Sequence, residues 1–272
     1  MFRPVFGHVA AAVAALVLVA MSAACGGSSS PSTPTTPTPS PTGTSACGAI
    51  SGVSTSSLAI VNGTSCTPSN SSVALLYLVG SDGFGIGACS GTVIGPTAVV
   101  TAAHCLQSGT AIVRINFSTK EIEAASFVAS PGYHGNTSDS LDVGVVIASQ
   151  PLGQPAIPLL TSRDPVAGET AVIAGWGQDL FGQGFTLRAG QTTIGQVGPI
   201  YIVNPYSISS PGTCAGDSGG PLLVSVGGTY ALAGVISSVS GACVSGSDFF
   251  LNVRNAAVRA FILANAPDAA QR

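Results

Sequence analysis

The sequence predicts an all-β domain, a sandwich or a barrel. Three observations lead there. Hydrophobic residues make up 46% of the 272 residues and occur in short runs rich in Val, Ile and Ala. Those runs are punctuated by turn formers, with 35 Gly and 18 Pro in the chain. Only 7% of residues are charged, against about 25% in a typical soluble domain, and strong helix formers are scarce. Together these argue against a helical bundle or coiled coil, and the hydrophobic fraction argues against disorder. The length suits one or two domains with a large core. A net charge of −3 argues against a nucleic-acid partner, which needs a basic face. The only histidines are His8, His104 and His134, so a multi-His metal site would consume most of them. None of the seven cysteines forms a Cys-x-x-Cys pair, which leaves zinc ribbons and thioredoxin-like redox motifs unsupported.

Taken in order, residues 1–24 read as a signal peptide. Arg3 precedes an apolar run from Val9 to Ala24, too short for a membrane span of about 20 residues. The run ends Ser22-Ala23-Ala24-Cys25-Gly26, which resembles a bacterial lipobox with Ser22 in place of the usual Leu. This predicts lipidation of Cys25 and a membrane anchor; an ordinary signal peptide is the alternative. Setting Cys25 aside leaves six cysteines, enough for three disulfides in an oxidising compartment. Residues 25–45 form a Ser/Thr/Pro-rich linker with nothing apolar to bury from Ser28 to Ser45, and in an extended form it reaches on the order of 50 Å.

The folded region begins near Ala46. Strand-like runs are Val73 to Val79, Thr92 to Thr101, Val143 to Ala148, Thr170 to Ala174, Pro221 to Val226 and Tyr230 to Ser237. A helix is expected from Val253 to Ala264, with Pro267 beyond its stop.

Three segments carry chemistry. Thr101-Ala102-Ala103-His104-Cys105 follows a strand, Asp142-Val143-Gly144 opens another, and Gly216-Asp217-Ser218-Gly219-Gly220-Pro221 is a glycine-rich turn before a third. They supply a base, a carboxylate and a hydroxyl. A serine hydroxyl becomes nucleophilic when a neighbouring base takes its proton, and a histidine near its usual pKa suits that task. A buried carboxylate fixes the imidazole tautomer and stabilises the imidazolium. Glycines around the serine let two backbone N–H groups converge on a developing oxyanion.

From Ile60 to about Ala264 the chain resembles the trypsin-like (chymotrypsin-fold) serine proteases. Supporting matches are Cys89-Ser90-Gly91, Pro131-Gly132-Tyr133 and Gly175-Trp176-Gly177. The resemblance implies two six-stranded antiparallel Greek-key β-barrels with a C-terminal helix and the site between them. It implies His104 as general base, Asp142 as its orienting carboxylate, Ser218 as nucleophile, and Gly216 and Ser218 as oxyanion-hole donors. It also implies disulfides Cys89–Cys105 and Cys214–Cys243, and leaves Cys47 and Cys66 for each other. Gly216-x-Ser218-x-Gly220 also fits the nucleophile elbow of α/β-hydrolases, but a strand rather than a helix follows and no His lies after Ser218.

Ile60-Val61-Asn62-Gly63 resembles the family's mature N-terminus. That implies a propeptide at 46–59, a protease domain at 60–266 and a tail at 267–272. Cleavage after Ala59 would free an ammonium on Ile60 to pair with Asp217, and a Cys47–Cys66 bridge would keep the propeptide attached. Ala59 is not the basic residue usual in animal relatives. For the specificity pocket two cues oppose each other. Gly212, next to Thr213, stands where trypsins carry an Asp, and Val239 stands at a wall position and narrows the mouth. Asp248 aligns near a floor position and could receive a basic side chain. Small to medium apolar side chains are favoured over basic ones. Glu121 and Glu123 are too few to suggest calcium, and no metal or cofactor is expected. The expectation is an exported, lipid-anchored or secreted monomer acting on proteins or peptides. A catalytically silent binding protein is the alternative, and an esterase a third.

Overall fold

The computed structural model describes residues 46–51, 60–107 and 109–272. The signal peptide, the Cys25 lipobox, the linker and Ala59 lie outside the described residues. A short helix, α1 (Ala46–Ser51), comes first and buries Ala46, Cys47, Ala49 and Ile50. The strands are β1 (Thr64–Ser65), β2 (Val73–Gly80), β3 (Gly85–Val93), β4 (Ala98–Thr101), β5 (Thr110–Asn116), β6 (Glu121–Ala129) and β7 (Gly144–Ala148) in the first half. The second half holds β8 (Thr170–Gly175), β9 (Arg188–Thr193), β10 (Gln196–Val197), β11 (Tyr201–Tyr206), β12 (Pro221–Val226), β13 (Thr229–Ala242) and β14 (Ser245–Asn252), then helix α2 (Ala256–Asn265).

Strands β2-β3-β4-β7-β6-β5 close into a six-stranded antiparallel barrel. Its interior is Leu76, Val99, Val113, Ile115, Phe117 and Val146, all essentially inaccessible. The second half runs β1-β9-β8-β12-β13-β14-β11-β10. The short strands β1 and β10 are its edges, and six longer strands lie between them. Only Ile194 and Gly195 separate β9 from β10, and Gly195 N donates to Val203 O on β11 at 3.1 Å. One bent stretch of chain thus serves both sides of this sheet and curls it on itself around Ile173, Leu222, Ala233 and Phe250. The all-β class is the one the sequence predicts, and the two-part architecture is the one the family resemblance implies, with the second part counted as eight strands because short β1 and β10 flank its six longer ones.

Differences in detail have local causes. Thr92 to Thr101 is two strands, because Gly95-Pro96 makes a turn and Pro cannot donate to the ladder. The C-terminal helix starts at Ala256, later than expected. The Asn255 side chain accepts from Ala257 N at 3.0 Å and Val258 N at 3.2 Å, capping the helix there. Residues 267–272, expected as a tail, are tied in: Leu159 N donates to Ala270 O at 2.7 Å and Arg272 N to Leu159 O at 2.9 Å. Among the described residues the disulfides are Cys47–Cys66, Cys89–Cys105 and Cys214–Cys243.

Candidate active site

Barrel register brings base and carboxylate together. Thr101 on β4 is paired with Gly144 on β7, so the segment after β4 and the segment before β7 leave the barrel at one end. His104 sits in a single 3-10 turn on the first, and Asp142 sits on the second. His104 Nδ1 lies 2.8 Å from Asp142 Oδ2, and His104 N donates to Asp142 Oδ1 at 3.0 Å. The His104 side chain is 30% exposed and that of Asp142 1%. A buried carboxylate needs partners on both oxygens, and the remaining one is Ser237 on β13, whose Oγ donates to Asp142 Oδ2 at 2.6 Å.

Ser218 lies in the loop before β12. Gly216 and Gly219 have φ of 94° and 84°, a region that disfavours side chains. A Cβ at Gly219 would also collide with Thr101 Oγ1 and Ser90 O. The N–H groups of Asp217, Gly219 and Gly220 donate to Cys214 O, Ile236 O and Asp217 O. Among the described residues, those of Gly216 and Ser218 have no acceptor, and no hydrogen bond joins Ser218 Oγ to His104. Looser contacts of this kind are common before substrate binds.

Ser90, buried on β3, ties the barrel to this loop. Its N–H donates to Ser218 O at 2.8 Å, its Oγ donates to Gly216 O at 2.9 Å, and that Oγ accepts from Trp176 N at 2.9 Å. Neither Ser237 nor Ser90 is assigned a role by the sequence reading. Ser90 was visible only as part of the Cys89-Ser90-Gly91 match, and no spacing signals Ser237, because its partner lies on another strand.

Ile60 and Val61 are buried, and Val61 bridges to Gly212, with Gly212 N donating to Val61 O at 3.3 Å. The expected N-terminal segment therefore lies against the loop that carries Asp217. Asp217 Oδ1 accepts from Gly177 N at 2.8 Å and Oδ2 from Cys214 N at 2.9 Å. Burial pushes its carboxyl up to about 7, against the pull of those two amides.

Among the pocket residues, Thr213 N and Oγ1 donate to Asp248 Oδ1 at 3.1 and 2.7 Å. Burial raises the Asp248 carboxyl to about 6, and its Oδ2 has no partner among the described residues. Asn204, its neighbour across the β11–β14 pair, is buried with its amide also unpartnered. Val239, opposite Asp248 on β13, is partly exposed. Gly212 backs onto the Tyr206 ring, where a Cβ would lie 2.6 Å from Cγ.

The remaining candidates lie elsewhere. Glu121 faces Arg114 and Asn116, and Glu123 is paired with Arg114 across β5–β6. His134 is exposed and pairs with Asp139 at 3.1 Å. Cys89, His104 and Cys105 bring donor atoms within 4.8 Å of one another, but the two sulfurs are bonded to each other and offer no thiolate.

Comparison with known proteins gives the family. The family model described as Trypsin matches residues 60–260. A protein named chymotrypsin from Phaedon cochleariae is 29% identical over 227 residues, covering 72% of this chain and 79% of its own. Trypsin alpha-4 of Lucilia cuprina is 31% identical over 162 residues, covering 50% of this chain and 62% of its own. A protein of Aedes aegypti named inactive CLIP domain-containing serine protease A3 is 25% identical, covering 54% of this chain and 40% of its own. The solved structure of HL collagenase superposes with a TM-score of 0.62 at 22% identity, covering 76% of this chain and 99% of that one, which is a likeness of fold.

Proposed function

The chain belongs to the trypsin family of serine proteases, and from that premise we propose that it is an exported serine endopeptidase acting through an acyl-enzyme on Ser218. The observation that carries the reading is His104 held on the buried Asp142 at 2.8 Å, at the barrel end tied to the Ser218 loop. Asp142 accepts a hydrogen bond from Nδ1–H, which fixes the tautomer and leaves the lone pair on Nε2 to serve as base. Ser218 Oγ attacks the substrate carbonyl carbon and its proton passes to His104. The N–H groups of Gly216 and Ser218 take the oxyanion, a service whose loss costs 10²–10³ in turnover, roughly, in related chemistry. His104 then protonates the leaving amine, and water repeats the sequence to release the acyl group. A fluorophosphonate probe should add to Ser218 alone and to nothing in Ser218→Ala; labelling that survives the substitution would refute the assignment. The alternative, a silent binding protein, predicts no labelling at all.

Activation follows from Asp217. A fully buried carboxyl with two amide partners, whose pull and that of the Arg188 charge offset burial only in part, is pushed toward its protonated form. Cleavage before Ile60 would bring it an ammonium, and a buried pair of that kind costs about 3–5 kcal/mol to break. We take 46–59 as the propeptide and 60–266 as the protease domain, and three disulfides suit an oxidising compartment. A lipid anchor on Cys25 and a monomeric state complete the proposal. On the amino side of the scissile bond we assign small to medium apolar residues, because the Tyr206 ring backs Gly212 and Val239 stands opposite Asp248. The unpartnered Asp248 Oδ2 favours a second reading, a basic side chain at the same place.

A further inference from the structure

Arg188, at the start of β9, is a buried cation outside the catalytic groups. Its Nη1 donates to Gly177 O at 2.8 Å and Gln183 O at 2.9 Å, and its Nη2 to Asp179 Oδ2 at 2.9 Å. Asp179 Oδ1 accepts from Phe181 N and Gln183 N, each at 2.9 Å. A charge-assisted clamp thus fixes the loop between β8 and β9.

What this fixed loop presents is apolar. Phe181 is 86% exposed and Phe185 61%. Phe185 also has φ of 62°, a conformation that a bulky residue adopts only when its surroundings impose it. Its ring centroid lies 6.0 Å from that of Tyr77 on β2. The neighbouring β2–β3 hairpin exposes Phe84 and Ile86.

A cavity of about 260 Å³ opens between these parts, lined among others by Ala88, Trp176, Gly177, Phe185, Ala215 and Gly216. It begins at Gly216, one of the two amides that face the oxyanion in the proposed reaction. No charged side chain lines it, and none of Gly212, Thr213, Val239 or Asp248 does. In the proposed reaction the substrate half on the amino side of the scissile bond is assigned to those four, which leaves this second wall for the leaving half.

We propose that this trough receives the residue following the scissile bond and selects large apolar side chains there. The proposal rests on the serine endopeptidase reading and names the substrate class of its leaving-group side. An aromatic or Leu side chain would cover the exposed Phe185 face and remove apolar surface from water. An acidic one would lose hydration with no cationic partner in the lining.

Acyl transfer tests it on protein cut before Ile60. An N-acetylalanine 4-nitrophenyl ester forms the acyl-enzyme: the ester C–O bond breaks and the phenol leaves. An added amino-acid amide then competes with water. Its nitrogen attacks the acyl carbon, the Ser218 Oγ–C bond breaks, and the amine proton passes through His104 to Ser218. The ratio of amide to acid product reads the trough alone, because general losses cancel within each protein. Phenylalaninamide and leucinamide should trap the acyl-enzyme about tenfold better than glycinamide, the scale of discrimination an apolar pocket provides. Phe185→Gly, which suits the positive φ, should bring the ratios within about twofold. Equal trapping by all amides in the native protein would overturn the proposal, as would an unchanged preference in Phe185→Gly. Failure to form any acyl-enzyme would overturn the endopeptidase reading itself, and this proposal with it.

Discussion

Asp142 is the most heavily engaged side chain of the site: His104 N, His104 Nδ1 and Ser237 Oγ all approach its two oxygens within 3.0 Å. Asp142→Asn should leave the fold intact and lower kcat on the order of 10⁴, because the amide imposes the wrong tautomer on His104. Ser237→Ala removes one positioning bond and should cost about tenfold in kcat with little change in KM, the scale of outer-shell partners. Steady-state kinetics of both variants check this order. Asp217 gives a pH prediction with a definite sign. Burial raises its folded pKa to about 7, above the ordinary carboxyl value of 3.8, so the folded single chain binds more protons than the unfolded one between those values. Its contribution is fully present below about pH 4 and is lost as pH rises through 7. Melting temperatures of uncut Ser218→Ala protein should therefore fall across that window. In Asp217→Asn/Ser218→Ala the fall should be smaller, and an equal fall in both would contradict the assignment. Asp248, at about 6, acts in the same direction and remains in both proteins.

At the scale of elements, the loop before β12 depends on a glycine that a side chain cannot replace. Gly219→Ala places a Cβ against Ser90 O and Thr101 Oγ1 at a positive φ. It should lower stability by at least about 2 kcal/mol, strain and collision acting together, measured by denaturant unfolding. Helix α1 is bound to the body in two ways: Cys47 is bonded to Cys66, and Ser72 N donates to Ile50 O at 2.8 Å. After cleavage before Ile60, the arm should run with the body on a non-reducing gel and separate on reduction. Cys47→Ser should separate them without reductant and destabilise the uncut chain by roughly 2–4 kcal/mol. These elements also show what the sequence made legible. The run Pro221 to Val226 is a strand to the residue, because flanking glycines bound it on both sides. Thr92 to Thr101 reads as one strand because its apolar run continues through the Gly95-Pro96 turn that divides β3 from β4. Strand β6 escaped notice because its mostly exposed residues carry too little apolar alternation. Ser90 and Ser237 act only through partners on distant strands, so no local pattern could assign them. The Arg188–Asp179 clamp escaped because its two charges meet only when the loop between β8 and β9 folds back on β9.

At the scale of the whole molecule, each half supplies what the other lacks. The closed barrel carries His104 and Asp142, the curled sheet carries Ser218 and Ser237, and Ser90 and Trp176 cross between them. Trp176 Nε1 donates to Val73 O at 3.1 Å, and its ring lies in a core shared by both halves. The His, Asp, Ser order was readable because each member sits in its own local motif. Their convergence was an expectation of the family resemblance, since spacing along the chain says nothing about it. The central claim is that this two-part body cuts peptide bonds with Ser218 once Ile60 is free. The most direct measurement incubates protein cut before Ile60, and its Ser218→Ala counterpart, with a mixed peptide library and reads every new terminus by mass spectrometry. The account predicts cuts in the first and none in the second, with large apolar residues enriched just after the cut. Identical cuts in both, or no cuts from native protein bearing a free Ile60, would contradict it.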